Sequence, residues 1–172
     1  GRMEPGVCYR LWGEGAQRSL AAFTPAEIVE ADLAPLALEL AAWGATDASR
    51  LAWLDPPPAA QLASARELLQ WLGALDREHR ITPHGRAMAE LPVHPRLAHM
   101  LLRARDFGAT ALAADIAALL GERDLLRGAD RDADLRTRLE VLRGPGASWD
   151  SDRGVLERVR RTSQQLRTQV GT

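Results

Sequence analysis

Apolar residues at three-and-four spacing mark most of this chain, and the clearest run lies near its middle. From Ala59 to Leu75 the positions Leu62, Leu68, Leu69, Leu72 and Leu75 recur at helical intervals, with Gln61, Arg66, Glu67 and Gln70 between them. That spacing predicts one amphipathic helix, with Gly73 weakening its last turn. Pro56, Pro57 and Pro58 precede it; they fix φ and remove backbone donors, so they predict an extended connector. The polar run after Leu75, closing on the β-branched pair Ile81 and Thr82, predicts a two-stranded wing. Thr82 or Pro83 then opens a short helix over Gly85 to Leu91, which Pro92 closes. Pro95 begins the next helix, whose apolar side is Leu97, Met100, Leu101 and Ala104.

The flanks follow the same logic. Val7 to Trp12 alternates β-formers after a Pro-Gly turn and predicts a single strand, which needs a sheet to belong to. From Thr24, a candidate N-cap, the pattern is helical; Pro35 splits it into a short helix ending near Ala31 and a second that starts at Asp32 or Leu33 and stops at Gly44. Beyond the middle stretch, helices are predicted over Thr110 to Leu120, Asp132 to Arg143 and Val155 to Val170. The breaks are Gly121, the polar loop Gly128 to Asp132, and Gly144-Pro145-Gly146, with Asp150 or Ser151 as the cap of the last helix. With the helix that Pro95 begins, these are four helices joined by short loops, which make a bundle.

Composition agrees with a mainly α chain. Of 172 residues 46% are hydrophobic, yet only two are Phe and one is Tyr, so the core must be built from Leu, Ala, Val and some of the five Trp. Every one of the 22 basic residues is Arg, and the formal net charge is −1. A guanidinium matches phosphate bidentately, but a near-neutral chain is no generic nucleic-acid binder; any such surface must be local. The single cysteine, Cys8, rules out an internal disulfide, and is expected to be a buried strand residue in a reducing, cytoplasmic setting. No apolar run approaches the ~20 residues of a membrane span, so no membrane partner is expected. The opening Gly-Arg-Met-Glu reads as a cut through a larger protein, or as a cloning scar.

Little in the sequence carries chemistry. There is no GxxxxGK[ST] phosphate loop and no DEAH tetrapeptide, so this chain alone is not expected to hydrolyse ATP. His79 and His84, and His94 and His99, stand five apart where helical metal ligands want three or four; no metal site is expected. Nucleic-acid contact is better supported. Arg96, His99 and Arg103, separated by three and four, share a face of the helix begun by Pro95, opposite Leu97 and Leu101. Arg158, Arg160, Arg161 and Arg167 form a second basic cluster on the last helix. An ordinary solvated face would look the same in both places. Trp53 and Trp149 could stack on bases, whereas Trp43 and Trp71 fall on apolar faces and are expected in the core. Ala26 to Asp55 carries Glu27, Glu30, Asp32, Glu39, Asp47 and Asp55 against Arg50, an acidic face that phosphate would avoid.

The order LDPPP, an amphipathic helix ending LGALD, and then ITPHGRAMAELPVHPRLAHML resembles the helicase-associated region of DEAH-box RNA helicases, in its bacterial form, over roughly Gly1 to Leu102. The resemblance implies a winged-helix domain over 25–84, a helical ratchet bundle over 85–172, and, in 1–24, the tail of a second RecA-like domain that owns the strand. It implies that Gly1-Arg2 ends the motif QRxGRxGR, which would make Arg2 an arginine finger. It implies a non-catalytic region of an ATP-dependent RNA helicase that walls a channel for single-stranded RNA, or DNA, and couples it to RecA-like domains of the same chain. ATP and magnesium would belong to the full-length protein and no cofactor to this chain. A basic residue often stands in the family where this sequence has Glu30, which counts against nucleic acid on the first helix. Two alternatives stay open: a winged-helix DNA-binding regulator, disfavoured because Arg66 is balanced by Glu67 on the helix before the wing, and a protein-docking module.

Overall fold

The computed structural model describes residues 3–21, 23–45, 47–127, 133–144 and 150–171. Among them are nine α-helices: α1 (Glu14–Ser19), α2 (Glu27–Glu30), α3 (Ala34–Ala42), α4 (Ala59–Trp71), α5 (Pro83–Ala89), α6 (Pro95–Ala104), α7 (Thr110–Leu120), α8 (Leu135–Arg143) and α9 (Arg153–Val170). No sheet forms among the described residues; the only β-pairings are the isolated bridges Leu75 to Ile81 and Leu126 to Ser151.

Helix starts follow local chemistry. Pro35, Pro83 and Pro95 sit in the first turns of α3, α5 and α6, where their missing N–H costs nothing. Asp32 accepts the Ala34 N–H at 2.8 Å, and Thr82 accepts the Gly85 N–H at 3.0 Å. At α9 the cap is Asp152, one residue beyond the expected Asp150 or Ser151, and its Oδ1 accepts from Gly154 and Val155. α8 starts at Leu135, capped by Asp134; the expected start at Asp132, the polar loop to Asp132 and the Pro145-Gly146 break lie outside the described residues.

The wing is a tight hairpin. Asp76 N–H donates to the Arg80 carbonyl and Thr82 N–H to the Ala74 carbonyl, while Asp76 Oδ1 accepts from the Glu78 and Arg80 N–H groups. Thr82 Oγ1 donates back to the Gly73 carbonyl at 2.7 Å, tying the hairpin to the start of α5. That helix comes so close that a Cβ on Gly85 would lie 2.2 Å from the Ala74 carbonyl oxygen, so only glycine fits.

One apolar core runs from α3 through α4, α5 and α6 into α7 and takes in Leu166 and Val170 of α9, with Leu69, Met88 and Leu101 essentially sealed from solvent. Burying each is worth roughly 1.5–3 kcal/mol. A second core joins the end of α7, Leu125, Leu126, α8 and the first half of α9 around Val155 and Val159. α7 packs on α6, α8 and α9, which puts it at the centre of the bundle.

Three expectations need correction. The strand over Val7 to Trp12 is absent: those residues are exposed and unpaired, since a strand is held by its neighbour and none of the described residues lies beside it. For the same reason Cys8 is exposed, not buried. Trp43 and Trp71 are 79% and 84% exposed. The buried stripe of α4 is Leu62, Ala65 and Leu69, and a residue two positions past Leu69 points to the opposite side; Trp43 sits at the C-cap of α3, where the chain turns away through Gly44.

Candidate nucleic-acid interface

α6 begins where two helix N-termini are pinned together. His94, its N-cap, accepts the Arg96 N–H on Nδ1 at 3.2 Å and donates from Nε2 to Asp32 Oδ2 at 3.0 Å, a pairing that the neutral Nε2–H tautomer satisfies. The same Asp32, one residue before the N-cap Leu33, accepts the Ala34 N–H, so one carboxylate bonds to both helix starts. The Ala34 N–H, helped by His94 and Arg96 against partial burial, holds the Asp32 carboxyl below its usual range. The acidic first segment thus supplies caps: Asp47 likewise accepts from Ser49 N and Oγ.

From that fixed start, Ala98, Leu101 and Ala104 face the core, and Arg96 and Arg103 are left exposed, with half-buried His99 between them. Arg96 borders a groove of about 580 Å³ whose walls include Asp32, Glu67 and Trp71. Arg103 pairs with Asp106 at 3.0 Å and lines a neighbouring hollow with His84, Arg105 and Asp106. His99 turns its ring toward α5: its Nδ1 is 2.9 Å from Nε2 of His84, the rings edge to face with centroids 5.1 Å apart. Burial, then the neighbouring His99 and Arg103, push the His84 imidazole below its ordinary value. The pair cannot be read from the sequence, because the two residues are fifteen apart on different helices and only the packing of α5 on α6 joins them.

Three of the four arginines of the α9 cluster are put to another use, and Arg161 is exposed. Arg158 reaches Glu122 at 3.3 Å; Arg160 bonds Glu157 and the Leu142 carbonyl. Arg167 reaches Asp115 at 2.6 Å. Asp115, only 2% exposed, also accepts from Ser163 Oγ at 2.6 Å and from Arg143 at 2.7 Å. Burial raises its carboxyl, but the hydrogen bonds from Ser163, Arg143 and Arg167 outweigh that and leave it below the usual range. These guanidinium groups lock α7, α8 and α9 together. The signal that could have found this was Asp115 itself, an acid on a helix otherwise made of Ala, Leu, Ile and Thr.

Other candidates fall away from α6. Trp53 is half-buried, its Nε1 donating to the Ala48 carbonyl at 2.7 Å. Arg2 and Trp149 lie outside the described residues. Among the described residues no three His, Cys, Asp or Glu side chains gather as a protein-held metal site requires, and no helix is long and apolar enough to cross a membrane.

Comparison with known proteins places this arrangement. Residues 65–93 match the helicase-associated domain (HA2), winged-helix, which covers the second half of α4, the wing, α5 and the approach to α6. Over 122 residues, 71% of this chain, the sequence is 43% identical to the ATP-dependent RNA helicase HrpB of Escherichia coli, of which it covers 15%. It is 40% identical over 121 residues to the human probable ATP-dependent RNA helicase DHX35, covering 17% of that protein. The crystal structure of the Escherichia coli DEAH/RHA helicase HrpB superposes over 100% of this chain and 20% of its own length, with a TM-score of 0.72 at 35% identity. The chain therefore spans less than a fifth of the length of these curated relatives.

Proposed function

We propose, from the premise that this chain is a helicase-associated region of the DEAH-box, HrpB type, that it forms one wall of a single-stranded nucleic-acid channel in an ATP-dependent RNA helicase and couples that channel to the motor domains. The observation that carries this is α6: directly after the helicase-associated segment, it holds Arg96, His99 and Arg103 along one side while its other side is anchored in the core. A strand threaded past such a helix is held through its phosphates, in any sequence, which is what a translocating enzyme requires. Its ligand is single-stranded RNA, with DNA as the close chemical alternative.

The sequence holds no phosphate loop, and the described residues hold no acid cluster for a metal; in this reading ATP and magnesium belong to the RecA-like domains of the parent protein. Exposed Trp43 and Trp71, and the unpaired segment Val7 to Trp12, support docking of those domains on this chain. In this reading the tail 1–24 continues the second RecA-like domain with Arg2 as its arginine finger, 25–84 is the winged helix and 85–172 the ratchet bundle. Charge reversal of Arg96 and Arg103 in the full-length protein tests it: RNA stimulation of ATP hydrolysis should fall about tenfold, the loss of roughly 1.4 kcal/mol of phosphate contact. Unchanged stimulation would remove both residues from the interface.

A further inference from the structure

The pairing of His84 with His99 has no structural necessity, since an apolar pair would join α5 to α6 as well. Each ring spends one nitrogen on the other, His84 Nε2 against His99 Nδ1. The second nitrogen of each has no partner in the protein, and neither is a buried orphan, so both are open to solvent. The contact needs one N–H between the two nitrogens. If His84 donates, His99 carries its own hydrogen on Nε2 and presents a donor outward; if the pair gains a proton, His99 donates to His84 and still presents an outward, now charged, N–H. Both of these states leave a donor on the outward nitrogen of His99, and a phosphate placed there selects them over the neutral tautomer in which His99 donates and its Nε2 is bare. A second added proton would put two N–H groups nose to nose.

Resting on the channel reading of α6, we propose that His84 is a positioning residue for His99: the pair presents the outward N–H of His99 to a backbone phosphate and takes up one proton as single-stranded nucleic acid binds. The cationic surroundings resist a proton in the free chain, so its uptake waits on the arriving phosphate. On α6 and the turn after it stand Arg96, Arg103 and Arg105, with Asp106 already paired to Arg103. α5 adds only Arg86, and α3 only Glu39, both exposed. On the far side of α6, α7 offers Asp115, which Arg143, Arg167 and Ser163 occupy. Burial of His84, with His99 and Arg103 beside it, lowers its imidazole and so favours its neutral form.

The test is fluorescence anisotropy of this chain on a labelled twelve-nucleotide uridine RNA between pH 6 and pH 8, with nitrogen-15 imidazole NMR of the free chain. Binding should be about fivefold tighter at pH 6, the ratio one linked proton gives when the contact favours its uptake tenfold. His84→Phe, which keeps the ring volume, should remove that pH dependence, and His84→Gln, whose amide can donate to His99, should restore binding near neutral pH. NMR should show a hydrogen shared between the two rings. Two independent histidine titrations in the NMR, or equal weakening of His84→Phe at both pH values, would overturn the positioning role. RNA binding that Arg96 and Arg103 reversal weakens but pH does not change would overturn this inference and leave the channel reading intact. No RNA binding at any pH would overturn both.

Discussion

Gly85 and Asp115 show how single residues set this structure. A methyl group on Gly85 would meet the Ala74 carbonyl oxygen at 2.2 Å and Ile81 Cγ1 at 2.9 Å, so α5 or the wing must move. We predict that Gly85→Ala costs about 3 kcal/mol, seen as a lowered melting temperature, while Gly15→Ala on exposed α1 changes it little. For Asp115 the cost comes from charge: Asp115→Asn leaves Arg143 and Arg167 facing an amide in a buried site, a loss of roughly 3 kcal/mol. Its pH signature follows from the same bonds. The carboxyls of Asp115 and Asp152 are held below their ordinary value of 3.8, Asp152 to about 2 by Arg127 and the Val155 N–H. The stability they give is fully present above that ordinary value and is lost as pH falls through their folded values. Circular dichroism should show these carboxylates contributing a flat plateau above pH 5 and unfolding that sets in below about pH 4. Asp115→Asn should start lower and lose less on acidification. The sequence shows an acid on an otherwise uncharged helix but not what it binds, because its hydrogen-bonding partners are 28, 48 and 52 residues away.

Elements were legible to the degree that their causes are local. The helices α3, α5 and α6 start where proline and the preceding Asp32, Thr82 and His94 require, because caps and φ restrictions act within three residues. The wing was readable from Leu75 to Thr82 for the same reason. The strand at Val7 to Trp12 failed because a strand depends on a neighbour elsewhere, and the tryptophans were misplaced because apolar spacing counted Trp71 onto a face that Leu62, Ala65 and Leu69 define more narrowly. The basic stripe on α6 was readable at spacing three and four, whereas its partner His84 required knowing how α5 packs. Thr82 is the joint between wing and α5, accepting from Gly85 and donating to Gly73. Thr82→Ala should therefore cost about 1–2 kcal/mol in denaturant unfolding and Thr82→Ser much less, because serine keeps both bonds.

At the scale of the molecule, arginine is divided between two tasks. On α8 and α9 and in the segment between α7 and α8 it crosslinks the bundle, through Arg138 to Asp124, Arg127 to Asp152 and the Asp115 cluster. On α6 two arginines stay at the surface beside a histidine pair, and this is the side on which a strand would lie. On the proposed reading, a near-neutral chain holds nucleic acid locally, weakly and without sequence preference, as one wall of a channel whose other walls belong to the parent protein. The direct measurement is filter binding of this chain to single-stranded RNA and to duplex DNA across a salt series, for wild type and for the Arg96→Glu, Arg103→Glu double variant. The account predicts weak RNA binding, little duplex binding, and a slope of log affinity against log salt that flattens by about 1.4 in the variant, the share of two phosphates on a single strand. Tight duplex binding, or RNA binding that the double variant leaves untouched, would contradict it.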